Sequence, residues 1–207
     1  GPGTGFFTEL LLPHFEEITV IEKDDTLASN LKERFPGIEV LNEDFMQFNL
    51  ESLKKEYNTF FGSLPYNISK AIIKKIITSH KFNTQSHFII QKEVAEKYLY
   101  KAPYSVLSLT TALYANCTKL LDISRESFRP KPNVTSSLIA FSPNKRYKQQ
   151  QNKIIEELIR LSFRKPRKTL YNNLRGTKFE KGSKLFASAR PAELSLDEYN
   201  KILSYSP

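Results

Sequence analysis

Ile18-Thr19-Val20-Ile21-Glu22-Lys23-Asp24-Asp25-Thr26-Leu27-Ala28-Ser29-Asn30-Leu31-Lys32-Glu33-Arg34-Phe35-Pro36-Gly37-Ile38-Glu39-Val40-Leu41 reads as strand, helix, strand. Ile18 to Ile21 is a short apolar, β-branched run, Leu27 to Phe35 carries apolar residues at helical spacing, and Ile38 to Leu41 is a second short run. Two strands joined through a helix run parallel, because the helix carries the chain back to its starting end. The same alternation continues outward. Strands are predicted over Asn58–Gly62, within the apolar run that begins at Tyr57, over His87–Ile90, Thr118–Ile123 and Ser136–Phe141. Helices are predicted over Ile68–Ser79, Lys92–Leu99 and Val106–Asn116. This order implies an α/β fold with a doubly wound, mostly parallel sheet. The last two strands face each other across Phe128-Arg129-Pro130-Lys131-Pro132 with no helix between them, so they should close the sheet as an antiparallel pair.

Charge divides the chain. Residues 1–142 hold 16 Lys and Arg against 16 Asp and Glu, whereas residues 143–207 hold 15 against 6, which is the whole of the net +9. A basic module on a neutral body is the footprint of a domain that grips a phosphate backbone while the body does chemistry. From Pro143-Asn144-Lys145-Arg146 the pattern also becomes purely helical, over Lys148–Phe163, around Leu170–Leu174 and over Ser195–Ser204. A boundary is therefore expected near residue 145, with a catalytic domain over 1–144 and a basic helical domain over 145–207. At 207 residues, 40% hydrophobic and 26% charged, the composition is that of a folded soluble protein. No run is long and apolar enough to span a membrane, and the first residues lack a signal-peptide pattern, so a cytoplasmic protein is expected. Cys117 is the only cysteine and is read as a buried strand residue. With His14, His80 and His87 it shows no ligand spacing, so no metal is expected.

Two clusters carry chemistry. Gly1-Pro2-Gly3-Thr4-Gly5 leads into the helical run Phe6 to Leu12, and glycines in such a turn let backbone approach a ligand closely. Glu22 ends the next strand, where an acidic residue can accept from ribose hydroxyls, and Asp44 follows the strand after that, beside Phe45. Gly1, Gly3, Gly5, Glu22, Asp44 and Phe45 thus outline a nucleoside pocket, and the absence of a P-loop sequence points to S-adenosylmethionine as cofactor. The second cluster is Ser63-Leu64-Pro65-Tyr66. Pro65 has no N–H, its carbonyl and that of its neighbour are expected to be free to accept, and Tyr66 offers a ring face. Acceptors beside an aromatic face suit an extruded base with an exocyclic amine. A simple strand-to-helix turn with Pro at its corner is the plainer alternative.

These stretches resemble the small-subunit ribosomal RNA adenine N6-dimethyltransferases from Gly1 to about Tyr199. The resemblance is carried by Gly1 to Gly5, Val20-Ile21-Glu22, Glu43-Asp44, Leu64-Pro65-Tyr66-Asn67-Ile68-Ser69, Gln91-Lys92-Glu93-Val94-Ala95, the Phe128 to Ser136 motif, Phe163 to Leu174, and Arg190-Pro191-Ala192-Glu193-Leu194-Ser195. It implies a Rossmann-like class I methyltransferase domain with a small helical C-terminal domain. It also implies N6-dimethylation of two adjacent adenines in the 3′-terminal hairpin of small-subunit rRNA during ribosome maturation, by a monomer acting on the assembling subunit.

Carried over by residue, the resemblance makes Ser63, Leu64, Pro65 and Tyr66 the catalytic set, with Ser63 also at the cofactor. It places rRNA phosphates on Arg164, Lys165, Arg167 and Lys168. Catalysis then needs alignment rather than a strong base. Three departures stand out. Ser63 replaces the family's usual Asn, and Pro166 replaces an Arg. The chain also begins at the glycine loop, so a first, central strand and a cover segment are expected to be missing. A catalytically weak or inactive pre-rRNA-binding assembly factor is the alternative that Ser63 and the missing segment favour.

Overall fold

The computed structural model describes residues 1–55, 58–144 and 149–205. Tyr57 of the apolar run and the expected boundary at residue 145 lie outside these. In the order of the chain the body contains α1 (Phe6–Leu11), β1 (Thr19–Glu22), α2 (Asp25–Arg34), β2 (Glu39–Asn42), β3 (Phe61–Ser63), α3 (Ser69–Ile77), β4 (Ser86–Gln91), α4 (Lys92–Tyr98), α5 (Val106–Ala112), β5 (Ala115–Ile123) and β6 (Ser136–Pro143). The helices α6 (Gln149–Ser162), α7 (Leu170–Leu174), α8 (Glu180–Ser183) and α9 (Leu196–Ser204) follow.

The strand-helix-strand reading at residues 18–41 holds. β1 and β2 pair in parallel, Glu22 opposite Asn42, and Asp24 caps the intervening helix by accepting the Leu27 N–H at 2.8 Å. A second sheet runs β3-β4-β6-β5, with β3 parallel to β4 and β6 antiparallel to both of its neighbours. Only β6 therefore runs against the others in that sheet, which fits the expected mostly parallel arrangement with an antiparallel end. The doubly wound sheet appears as two hydrogen-bonded units, β1-β2 and the four-stranded sheet. Ile21 and Leu41 of the first pack against the core of the second, so one hydrophobic layer spans both.

Two boundaries differ from the sequence expectation. β3 is shorter than Asn58–Gly62, because backbone donors before it go to side chains: the Asn58 N–H to Asn83 Oδ1 and the Phe60 N–H to Ser86 Oγ. The helix expected to run to Asn116 ends at Ala112, and Ala115 already pairs with Pro143. Asn144 fixes that break by donating its side-chain amide to the Ala112 carbonyl at 2.9 Å and its backbone N–H to the Tyr114 carbonyl at 2.8 Å. Pairing with β6 thus overrides a local helical pattern. Cys117 lies in β5 as expected but is half-buried against the core rather than buried within it, and that burial pushes its thiol up to about 12.

The last helices gather around a second hydrophobic cluster, which they share with α5. Ile155, Leu158 and Ile159 of α6 meet Leu170 and Leu174 of α7, Phe179, and Leu196, Tyr199 and Ile202 of α9. Leu109, Ala112 and Leu113 from α5 and its end join the same cluster, so the module is seated on a helix of the body. Tyr199 donates its buried hydroxyl to the Pro191 carbonyl at 3.0 Å, anchoring the Arg190–Leu194 stretch. Among the described residues no helix is long and apolar enough to cross a membrane.

Candidate active site

The glycine loop closes on itself through the Gly5 N–H and the Pro2 carbonyl, 3.0 Å apart. Gly3 and Gly5 both take left-handed backbone, at φ 57° and 89°, which glycine adopts without steric cost. Their surroundings differ. A Cβ on Gly5 would come within 2.6 Å of the Phe35 ring and 2.9 Å of the Leu31 side chain, so Gly5 lets the loop pack on α2. A Cβ on Gly3 would meet nothing within 4 Å, so the loop borders open space there. Glu22, the last residue of β1, is 9% exposed. Its Oε2 accepts the Gly3 N–H at 3.2 Å and its Oε1 accepts the Asp24 N–H at 3.1 Å. A Cβ on Gly1 would stand 3.7 Å from the same Oε2. The carboxylate is thus fixed in direction, and each oxygen keeps further lone pairs for hydroxyl donors. A ribose edge fits this donor set.

Asp44 lies just past β2, in a turn that it organises itself. Its Oδ1 accepts the Met46 N–H at 2.9 Å, and its carbonyl accepts from the Gln47 and Phe48 N–H groups. Its Oδ2 pairs with Lys23 Nζ at 2.8 Å. The Lys23 hydrogen bond, followed by that of Met46, holds the Asp44 carboxyl below its usual range. Lys23 is 76% exposed, so this pair is screened by solvent and exchangeable. Phe45 is half-buried, with the Lys75 ammonium 5.4 Å from its ring centroid.

At the end of β3, Ser63 is in register with Ile89 of β4, and the Leu64 N–H donates to the Ile89 carbonyl at 3.0 Å. The Leu64 side chain is buried in the main core and anchors the turn. The expectation that the Pro65 carbonyl is free needs correcting. It accepts the Ile68 N–H at 3.2 Å, because the turn closes into α3, and only its second lone pair remains for an outside donor. The Tyr66 carbonyl accepts from Ser69 Oγ at 3.2 Å. Tyr66 is half-buried, and its hydroxyl lies 2.8 Å from Ser136 Oγ at the start of β6, where Ser136 is fully buried.

The structure brings Gly1, Gly3 and Glu22 together and sets Asp44 and Phe45 at the end of the neighbouring strand. Ser63 to Tyr66 form a separate group at the end of β3. Two links join the groups: the Phe7 ring of α1 lies 5.1 Å from the Phe61 ring of β3, and Lys75 of α3 bonds to the loop after Asp44. Sequence reading missed both Ser136 as a partner for Tyr66 and Lys75. A polar residue on a mostly apolar helix was the only available signal for Lys75.

Arg164, Lys165, Arg167 and Lys168 form an exposed loop between α6 and α7, and none of the four side chains has an ion pair among the described residues. Asn173, 7% exposed, shapes this loop from beneath. Its Oδ1 accepts the Lys165 N–H at 2.9 Å, while its Nδ2, with two hydrogens, is shared among the carbonyls of Lys165, Lys168 and Thr169 at 3.1, 3.3 and 3.1 Å. Pro166 is exposed within it. Asn173 thus holds part of the loop backbone from inside, and the loop's four cations are exposed, the arrangement a phosphate-binding surface needs.

The family profile described as "Ribosomal RNA adenine dimethylase" matches residues 1–206. A curated relative, "Ribosomal RNA small subunit methyltransferase A" of Francisella tularensis subsp. novicida, is 33% identical over 211 residues, covering 97% of this chain and 79% of the relative. The protein of the same name from Francisella tularensis subsp. tularensis strain SCHU S4 is 33% identical over 212 residues, with the same coverage of both chains. Among solved structures, a dimethyladenosine transferase from Plasmodium falciparum superposes with a TM-score of 0.81 at 23% identity, covering 99% of this chain and 86% of the other. The 23S rRNA methyltransferase ErmE superposes with a TM-score of 0.77 at 22% identity, covering 100% and 88%.

Proposed function

The chain belongs to the ribosomal RNA adenine dimethylase family, and from that membership we propose that it uses S-adenosylmethionine to N6-dimethylate two adjacent adenines in the 3′-terminal hairpin of small-subunit rRNA. It acts as a monomer on the assembling subunit, with residues 1–144 carrying the transfer and residues 145–207 gripping rRNA. The observation that supports the cofactor side is the buried Glu22 carboxylate, held by two backbone N–H groups beside open space at Gly3.

S-Adenosylmethionine, when bound, supplies an electrophilic methyl group on a sulfonium. Glu22 accepts from the ribose hydroxyls, Gly1 and Gly3 allow close backbone approach, and Asp44 with Phe45 holds the adenine. Ser63 Oγ and the Leu64 carbonyl accept the two hydrogens of the exocyclic amine of the target base, the Pro65 carbonyl adds its one remaining lone pair beside them, and Tyr66 supports the base's ring. An adenine N6 lone pair is delocalised into its ring, so acceptors on its hydrogens favour a more pyramidal nitrogen and a better nucleophile. No side chain has to remove the proton before transfer; it can leave to water afterwards. Arg164, Lys165, Arg167 and Lys168 hold backbone phosphates at a distance from the reacting base.

Incubating the protein with small and large ribosomal subunits that lack the modification and with methyl-labelled cofactor tests this reading. Label in adenine of small-subunit rRNA is expected. Its absence, or its appearance only in large-subunit rRNA, rejects the proposal.

A further inference from the structure

Lys75 makes three short hydrogen bonds, donating from Nζ to the carbonyls of Phe45, Met46 and Phe48 at 2.7, 2.8 and 2.6 Å. An ammonium has three donors, and here each has its own acceptor. The three carbonyls belong to the turn that Asp44 starts, and they point to one place. Without a cation there, three converging carbonyl dipoles would repel, and the turn would relax. The same ammonium sits 5.4 Å from the Phe45 ring centroid and contributes to holding the Asp44 carboxyl below its usual range. Lys75 reaches this turn from α3, the helix that begins immediately after Ser63 to Ile68. The ends of β2 and β3 are therefore tied through one side chain, and the neighbouring Ile72 and Ile76 bury that helix in the core.

We propose that Lys75 is a positioning residue for cofactor binding: it fixes the Asp44–Phe48 turn from α3 and so sets Asp44 and Phe45 against the adenine of S-adenosylmethionine. This rests on the reading of Asp44 and Phe45 as the adenine site. The side chain touches neither cofactor nor base; it acts through three carbonyls.

The test is titration of the protein with S-adenosylhomocysteine, followed by calorimetry, for wild type and for Lys75→Met, Lys75→Gln, Lys75→Arg and Asp44→Ala. Lys75→Met keeps the stem and removes all three donors, and it should weaken binding about tenfold, the loss expected of charge-assisted bonds to a loop that must then order on binding. Lys75→Gln, with two donors and no charge, should fall between Met and wild type, and it serves where the Met variant does not fold. Lys75→Arg should bind within about threefold of wild type, since a cation and several donors remain. Affinity for an rRNA hairpin should be unchanged in all three, which a general loss of structure would not allow. If Asp44→Ala weakens binding while Lys75→Met and Lys75→Gln bind like wild type, the role of Lys75 is overturned and the adenine site stands. If Asp44→Ala also binds like wild type, the adenine site itself is rejected and the role of Lys75 with it. Loss in Lys75→Arg as large as in Lys75→Met equally overturns the proposal.

Discussion

The Tyr66 hydroxyl lies 2.8 Å from Ser136 Oγ, a contact between residues 70 positions apart that fixes the ring at the end of β3 against the start of β6. Ser136 is fully buried and paired across the ladder with Gln91, so it is a rigid post rather than a mobile partner. If the ring supports a base, its tilt is set by this bond as much as by the turn.

Removing either hydroxyl should therefore slow methylation similarly. Tyr66→Phe and Ser136→Ala each lose one neutral hydrogen bond, worth about 1 kcal/mol, so each should lower kcat roughly fivefold with little change in cofactor affinity. The double variant should be no slower than the worse single one, because the two groups act as one unit. Tyr66→Ala, which deletes the ring, should cost at least tenfold more than Tyr66→Phe. Single-turnover methylation of rRNA measures all four.

Glu22 holds the glycine loop, and on the proposed reading it also holds the ligand; Glu22→Gln and Glu22→Ala test this. Glutamine keeps one acceptor oxygen, so one of the Gly3 and Asp24 N–H groups loses its partner, and it should weaken S-adenosylhomocysteine binding about tenfold; alanine frees both N–H groups and should weaken it at least a hundredfold. Calorimetric titration gives both values. Binding that is unchanged in the alanine variant would reject Glu22 as a residue that holds the ligand.

The basic loop depends on Asn173. Asn173→Ala removes the amide hydrogens shared among three loop carbonyls and the acceptance from Lys165, so affinity for an rRNA hairpin should fall about tenfold while cofactor affinity stays level. Arg167→Glu should weaken rRNA binding further and reduce the salt dependence of log K by roughly one contact. Filter binding across a salt series reads both effects.

Acid should loosen the junction between body and basic module through Glu156. Its side chain, 13% exposed, pairs with Lys74 of α3 and Arg160 of α6 and accepts from the Tyr114 hydroxyl at 3.4 Å. Burial pushes this carboxyl upward, but Lys74 and Arg160 outweigh it and hold it below its ordinary value. The folded state thus binds the proton less tightly than the unfolded chain. The contribution to stability is complete above the unfolded value of about 4.3 and is lost as pH falls through the lower folded value. Thermal melts from pH 6 downward should show wild type losing more stability than Glu156→Gln, whose side chain does not titrate.

The shared core predicts coupled unfolding. Leu109 on α5 is fully buried among α6, α7 and α9 residues, so Leu109→Ala should destabilise by about 2–5 kcal/mol. Because the helix belongs to the body and its contacts to the module, fluorescence and far-UV transitions in urea should shift together.

Much of the fold was legible in local pattern. The strand-helix-strand unit at residues 18–41, the strand expected over His87–Ile90 and the amphipathic α6 are each dictated by apolar spacing that persists whatever surrounds them. The α5–β5 boundary was not legible, because Ala112 to Asn116 continue a helical pattern and only pairing with Pro143 and the amide of Asn144 end it. Candidate site residues from the glycine loop, Glu22, Asp44 and the Ser63–Tyr66 turn could be proposed, since the chemistry asked of them lies in the residue types themselves. Their partners could not, because Ser136, Lys75 and Asn173 are ordinary residues whose roles come from distant segments.

Sequence alone determined the α/β order, the confinement of positive charge to the last third and the residue types available at the strand ends, because periodicity, composition and side-chain chemistry are properties of the chain. Tertiary structure alone decided that Gly5 is needed for packing on α2, that the Pro65 carbonyl is already engaged, and that one ammonium joins the ends of β2 and β3. Each of those depends on hydrogen-bonding capacity or steric space being used up by a neighbour remote along the chain, and no local pattern records which neighbour arrives.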